Sequence, residues 1–421
     1  MSNKVKVISK VDRPLIPIDS TCERYICLNL RLPPQPQQSQ DRLPLNLSLI
    51  IDRSGSMSGD KLAYVKEAAI HTLRLMGETD RVSVVIYDDE VEVIAPSTTL
   101  TSASRQDLIR RVERVTTGGM TNLSGGWFSG CDQIADHMTA AHLNRALLLT
   151  DGLANRGIVD QEELVFQAKE LRRRSITTTT FGVGHDFNQF LLQGIADAGG
   201  GHFYFIDSPR QIPNYFQGEL GELLATVVKE MTLDIGLPDG VTCSLLNDLP
   251  FEQNGDRLRL YLGDGYAGET RSLVFKVSTP PRPLGESLVL PLRLNYEDTL
   301  ARRSVTLENQ PVEFKVVSKG EAESQPANEE VQQEAGRLEA EKAKMEALKK
   351  EYQGDIVGAQ TALRRAGAII SETFPAAPAQ ALMDELQELD KSITAGLTAQ
   401  ARKARHYATY TVQRSRKDYK E

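Results

Sequence analysis

The chain reads as an α/β protein: a doubly wound, mostly parallel sheet joined to an antiparallel β-sandwich and a C-terminal α-helical segment. Three observations predict this. Between 43 and 229 short apolar runs alternate with helical periods, the pattern of a parallel sheet covered on both faces. From 230 to 318 the helical period disappears and short alternating runs follow one another across turn signals such as PDG, NGD and GDG. From 319 to 421 the chain is charged and helical in period. With 421 residues, 40% hydrophobic and 25% charged, it is long enough for more than one core.

Residues 1–42 carry two strand-like pieces, KVKVISKV and YICLNLRL, before the polar, proline-rich PPQPQQSQ. Two strands are too few to bury a core, so they are expected to join the sandwich, splitting it in sequence around the domain at 43–229. That domain opens with LNLSLII, followed by a helix with Leu62, Val65, Ala69, Leu73 and Met76 at spacings of three and four. VSVVIY and VEVIA flank DDE at 88–90, a hairpin turn that adds one antiparallel edge strand. Helices near 104–115 and 124–139 flank a glycine-rich loop and precede ALLLT. A helix near 160–174, ITTTTFGVG, a helix near 187–198, HFYFI and a last helix near 209–229 complete the alternation. The sandwich at 230–318 runs from MTLDIGL to VEFKVV. KGEAESQPAN, 319–328, reads as a charged linker. Beyond it Val331, Leu338, Met345 and Tyr352 recur every seven residues. Two further helices, near 355–373 and 377–412, are expected to fold back on the first, as a hairpin or bundle packed on the sandwich or as a partner-binding arm.

The composition excludes several functions. A net charge of -8 argues against a protein held by nucleic acid or an anionic membrane. The N-terminus has no apolar h-region and no segment approaches about 18 uncharged apolar residues, so the expectation is a soluble, cytoplasmic chain. Four cysteines, Cys22, Cys27, Cys131 and Cys243, lack CxxC spacing and are expected as free thiols.

The chemistry lies where strands end. Asp52, Ser54 and Ser56, spaced two apart, follow the apolar run 45–51 on a strand-to-helix loop, so their oxygens can converge on one point. Asp151 directly follows ALLLT and belongs on the same carboxyl edge, where open α/β folds place ligands. GGMTNLSGG, 118–126, offers Thr121 between them. Two carboxylates and three hydroxyls, without imidazole or thiolate, suit Mg²⁺ or Mn²⁺, with Ca²⁺ as a third option, far better than Zn²⁺.

DRSGS resembles the DxSxS signature of the von Willebrand factor A domain family, MTN carries its threonine and LLLTDG its second aspartate, in the family's order. The resemblance spans about 43–215, including GVGHDFNQFLLQGIADAGGGHFYFI, which is similar to the closing segment of bacterial intracellular members. It implies a Rossmann-like fold and a metal-ion-dependent adhesion site at Asp52, Ser54, Ser56, Thr121 and Asp151. In the family pattern Ser54, Ser56 and sometimes Thr121 touch the metal directly, and the aspartates act largely through water.

Enzyme readings fare worse. GSMSG at 55–59 resembles a nucleophile elbow, but Met57 stands where the serine belongs. GGMTNLSGG lacks the GK[ST] ending of a phosphate loop, GVGHDF lacks the third glycine of a dinucleotide fingerprint, and the histidines are dispersed. Trp127 reads as core packing at the start of its helix. The sequence therefore points to a non-enzymatic module that binds an exposed Asp or Glu of a partner protein through the metal. The alternative is a regulatory or substrate-presenting subunit of an AAA+ ATPase of the MoxR or chelatase-like kind, and a surface adhesin is the third reading.

Overall fold

The computed structural model describes residues 4–34 and 42–414. The proline-rich break lies mostly at 35–41, outside the described residues. The chain divides into two compact units, residues 42–226 and, from two separate segments, 4–34 with 227–414.

In the second unit the N-terminal segment supplies β1 (Lys6–Val11), β2 (Leu15–Pro17) and β3 (Cys22–Arg31). The α/β unit follows with β4 (Leu45–Asp52), α1 (Asp60–Leu75), β5 (Arg81–Tyr87), β6 (Val91–Thr99), α2 (Ser102–Glu113) and α3 (Leu123–Ala135). It continues with β7 (Leu143–Thr150), α4 (Gln161–Arg173), β8 (Thr177–Val183), α5 (Gln189–Gly199), β9 (Gly200–Ile206) and α6 (Ile212–Leu224). Its sheet has the order β6-β5-β4-β7-β8-β9, with β6 antiparallel at one edge and every other pairing parallel. The two central strands, β4 and β7, are buried at all eight positions each, as a sheet covered on both faces requires. Below the sheet, buried Asp80 accepts the Leu45 amide at 2.8 Å and the Arg42 guanidinium at 2.7 and 2.9 Å, which fixes the start of β4. Helix α3 approaches the sheet closely because it is small where it touches: a Cβ on Gly126 would lie 2.4 Å from Tyr87 Cγ, and one on Gly130 would lie 2.4 Å from Ile50 Cγ1. Trp127 is fully buried beside these glycines and donates from Nε1 to Thr178 Oγ1 at 3.1 Å.

The remaining strands are β10 (Thr226–Gly236), β11 (Thr242–Leu245), β12 (Phe251–Asn254), β13 (Arg257–Tyr266), β14 (Thr270–Thr279), β15 (Ser287–Asp298) and β16 (Arg303–Val317). They form a sandwich of two sheets, β1-β3-β14-β11 and β12-β13-β10-β15-β16-β2. Inward residues two apart, such as Ile26, Leu28 and Leu30 on β3 and Leu288, Leu290, Leu292 and Leu294 on β15, share one core. The sandwich departs from pure antiparallel pairing once, because β2 runs parallel to Lys315–Val317 of β16.

Three boundaries and one packing face differ from the sequence reading. The last α/β helix ends at Leu224 instead of 229, because the β-branched run after Ala225 begins β10 at Thr226. KGEAESQPAN is not a bare linker: it contains α7 (Lys319–Ser324), and Gln325 is tied to the backbone of Leu15 through both ends of its amide, at 2.8 and 3.0 Å. The helical segment then comprises α8 (Glu329–Tyr352), α9 (Ile356–Thr373), α10 (Ala376–Ala395) and α11 (Ala399–Gln413), so the helix expected over 377–412 is two. Gly396, at φ 90°, ends the first, and the Thr398 hydroxyl caps the second. Nor does the seven-residue row form one buried seam. Val331, Ala335 and Leu338 pack on Cys27 and Val274 of the sandwich, whereas Ala343, Ala347 and Leu348 pack against α9 and α10, and Tyr352 is 53% exposed. A helix serving two partners along its length turns a different face to each. Among the described residues no helix is long and apolar enough to cross a membrane.

The close seat of α3 yields a test. Gly126→Val forces a branched side chain against buried Tyr87 and is expected to destabilise the α/β unit by about 2 kcal/mol. Urea unfolding followed by the fluorescence of Trp127, the sole tryptophan, measures it; an unchanged midpoint would contradict this packing.

Candidate metal centre

From β4 the chain winds toward β5, and from β7 it winds the other way toward β8, so a crevice opens between their carboxyl ends. Register decides what lines it. Ile50 pairs with Leu148 and Ile51 with Leu149, which sets Asp52 beside Thr150 and leaves Asp151 one step beyond.

Asp52 is fully buried. Its Oδ1 accepts the Ser54 amide at 2.8 Å, and its Oδ2 accepts the Thr150 hydroxyl at 2.6 Å. A short 3-10 turn, Gly55–Met57, then lifts Ser56 to the surface and buries Met57, before Gly59 at φ 76° leads into α1. Ser54 Oγ lies 3.1 Å from Ser56 Oγ, and Ser56 Oγ donates to Asp151 Oδ1 at 2.7 Å. Lys61, in the first turn of α1, places its ammonium on the other Asp151 oxygen. Thr121 closes the remaining side: a Cβ on Gly152 would lie 3.5 Å from Thr121 Oγ1 and 3.8 Å from Ser56 Oγ. The structure therefore brings Asp52, Ser54, Ser56, Thr121 and Asp151 into one crevice.

The loop that carries Thr121 is held from three directions. Gly118 donates to the Arg53 carbonyl at 2.7 Å and Gly55 donates to the Gly119 carbonyl at 2.9 Å, which join it to the loop after β4. On the hairpin side Asp88 Oδ2 accepts the Gly119 amide at 3.2 Å and Asp89 Oδ2 accepts the Met120 amide at 3.1 Å. Asn155 Oδ1 accepts the Thr121 amide at 2.9 Å. The two glycines leave room for these carboxylates, because a Cβ on Gly118 would fall 1.6 Å from Asp88 Oδ2 and one on Gly119 would fall 1.9 Å from Asp89 Oδ2, displacing both from the loop. Lys61, Thr150, Asp88, Asp89 and Asn155 were not singled out from the sequence. Only the DDE turn gave any signal, and it read as a hairpin alone.

The charges of the site are unequal. Burial pushes the Asp52 carboxyl up to about 6; hydrogen bonds from Ser54 and Thr150 oppose the rise, and the neighbouring Asp151 charge adds to it. At Asp88 burial also works upward, yet the amides of Glu90 and Gly119 and the Arg53 guanidinium hold its carboxyl below the usual range. Arg53 lies 3.2 Å from Asp88. Asp52, Ser54, Ser56, Thr121 and Asp151 offer only side-chain oxygens, the donor type preferred by small hard divalent cations.

A doubly wound sheet with carboxylates and hydroxyls at its switch point defines a class of α/β domain built to present an oxygen-lined crevice. The sequence profile of the von Willebrand factor type A domain matches residues 46–218, and this unit is a von Willebrand factor type A domain. The chain is 25% identical over 337 residues to the protein sll0103 of Synechocystis, covering 77% of this chain and 78% of that protein. It is 26% identical over 215 residues to YfbK of Escherichia coli strain K12, which covers 51% of this chain and 37% of that one, so it spans little more than a third of that relative. A von Willebrand factor type A structure from Catenulispora acidiphila has the same fold, with a TM-score of 0.73 over 97% of this chain and 96% of that chain at 18% identity.

The raised Asp52 carboxyl carries a testable sign. Its folded-state value lies above the ordinary one, so the metal-free protein is favoured with Asp52 protonated and loses stability as pH rises through about 6. Relative to the unfolded value the loss approaches about 3 kcal/mol. With chelator present, Asp52→Asn is expected to be more stable than the parent at pH 7.5 and to lack this slope; urea midpoints between pH 4.5 and 7.5 measure it. A parent protein with no slope between these values would contradict the account.

Proposed function

We propose that the α/β domain is a non-enzymatic protein-binding module that recognises an acidic side chain of a partner protein through a divalent cation held at Asp52, Ser54, Ser56, Thr121 and Asp151. The reading rests on the make-up of the crevice. Lys61 compensates one carboxylate, so the two aspartates keep one uncompensated negative charge. A bound divalent cation would make the centre net positive, and three neutral hydroxyls would do little to quench it. Mg²⁺ and Mn²⁺ prefer six oxygens and keep positions for outside ligands, so a partner carboxylate completes the set. The cation supplies that attraction; the chain supplies the orientation. Ser54 and Ser56 present their hydroxyls from a turn tied to Asp52, Thr121 is held by the clamped loop, and Lys61 and Ser56 fix the two Asp151 oxygens.

Met57 supports binding over catalysis, since the central position of GSMSG faces the core and is fully buried, where a nucleophile elbow exposes its nucleophile. The relatives in Escherichia coli and Synechocystis support a bacterial setting, and four free cysteines agree with a reducing cytoplasm.

Calorimetric titration with Mg²⁺ tests the reading. The parent protein is expected to bind one equivalent and Asp52→Ala none. Binding should be about tenfold weaker at pH 5 than at pH 7, because one proton on a carboxyl titrating near 6 competes with the metal. Absence of metal-dependent heat in the parent would overturn it.

A further inference from the structure

A second set of ligand-type side chains lies in the α/β unit, toward the start of β8 and β9 and away from the carboxyl edge that carries the oxygen crevice. His202 and Tyr204, two apart on β9, share the face covered by α6, and Thr179 of β8 lies beside them. Helix α6 brings Glu219 and Glu222 to this face one turn apart. The stack of Phe181 on Phe216, with ring centroids 4.4 Å apart, holds helix and sheet together next to them.

Glu219 is fully buried. Its Oε1 accepts the Thr179 hydroxyl at 2.7 Å, and its Oε2 accepts the Tyr204 hydroxyl at 2.8 Å and faces His202 Nδ1 at 2.8 Å. Glu222 Oε2 lies 3.7 Å from the same imidazole nitrogen, and the side chains of His202 and Glu222 are each 15% exposed, which gives solvent a route to the cluster. One imidazole nitrogen and two carboxylate oxygens thus lie within 4.8 Å of one another. Tetrahedral zinc, with bonds of about 2.0 to 2.1 Å, separates its donor atoms by about 3.3 Å, and the two nitrogen-to-oxygen distances straddle that value.

We propose that His202, Glu219 and Glu222 form a site for a transition-metal ion of the Zn²⁺ class, distinct in place and chemistry from the oxygen crevice. Imidazole with two carboxylates is a donor set that zinc accepts, and three protein ligands leave a fourth position to water. On binding, the ion takes the place of the proton between His202 Nδ1 and Glu219 Oε2, so one proton is released to solvent for each imidazolium displaced. Thr179 and Tyr204 keep their hydrogen bonds to Glu219 and orient it, as partners of metal ligands do. The ion would then pin α6 to β9.

The test uses the full chain carrying Asp52→Ala, stripped with chelator and titrated calorimetrically with Zn²⁺ in excess Mg²⁺, so that the oxygen crevice contributes nothing. One equivalent of Zn²⁺ is expected to bind, and His202→Gln and Glu222→Gln should each weaken it at least about tenfold. Glu222→Gln leaves the buried Glu219 contacts in place, and a thermal melt followed by circular dichroism verifies that each variant is folded. Absence of Zn²⁺ heat, or binding that persists undiminished in either folded variant, overturns the proposal.

Discussion

The parallel register between β4 and β7 is the constraint on which the crevice depends. Pairing Ile51 with Leu149 ends both strands at the same height, and every later contact starts from there. A slip of one residue would turn Asp52 to the other face of the sheet and separate it from Thr150. The register is in turn enforced by burial on both faces, since Leu47, Leu49, Ile50 and Ile51 on β4 and Leu147, Leu148 and Leu149 on β7 are all essentially inaccessible. At the other end of the sheet Asp80 pins the first residue of β4. The apolar runs are thus the ruler that positions the polar residues following them.

Three loops meet above that ruler, and their mutual hydrogen bonds make the crevice a single body. The loop after β4, the hairpin between β5 and β6, and the loop before α3 exchange backbone and carboxylate contacts around Gly118 and Gly119. Close approach explains both the glycines and the aspartates opposite them. The same enclosure disfavours ionisation of Asp52, because burial is opposed by hydrogen bonds from the Ser54 amide and the Ser54 and Thr150 hydroxyls, while the neighbouring Asp151 charge adds to the penalty. A cation at this point would relieve that penalty, which links the burial of the acid to the proposed binding chemistry.

The fold and the meeting of the five oxygen-bearing side chains were legible because Asp52, Ser54, Ser56 and Asp151 lie just past apolar runs and Thr121 lies within a glycine-rich loop, and strand order then brings these segments together. Lys61, Thr150, Asp88, Asp89 and Asn155 were not, since their parts depend on which loops touch across the crevice, a relation that no local spacing encodes. The helical segment misled for a different reason. Its seven-residue row gives the helical period but not the partners, because α8 packs first on the sandwich and then on α9 and α10, so no single row stays buried. Gly396, at φ 90°, divides the helix expected over 377–412 into α10 and α11. His202 with Glu219 and Glu222 stayed hidden because strand and helix meet there only in three dimensions.

The proposed cation cradle gathers five side-chain oxygens from three separate loops. Anomalous diffraction from crystals of the full chain grown with Mn²⁺ tests it most directly. A peak is expected in the crevice bonded to the Ser54 and Ser56 hydroxyls, with Lys61 still on the outer oxygen of Asp151. A crystal in which the crevice shows no peak, while the five side chains keep the positions described, would contradict it.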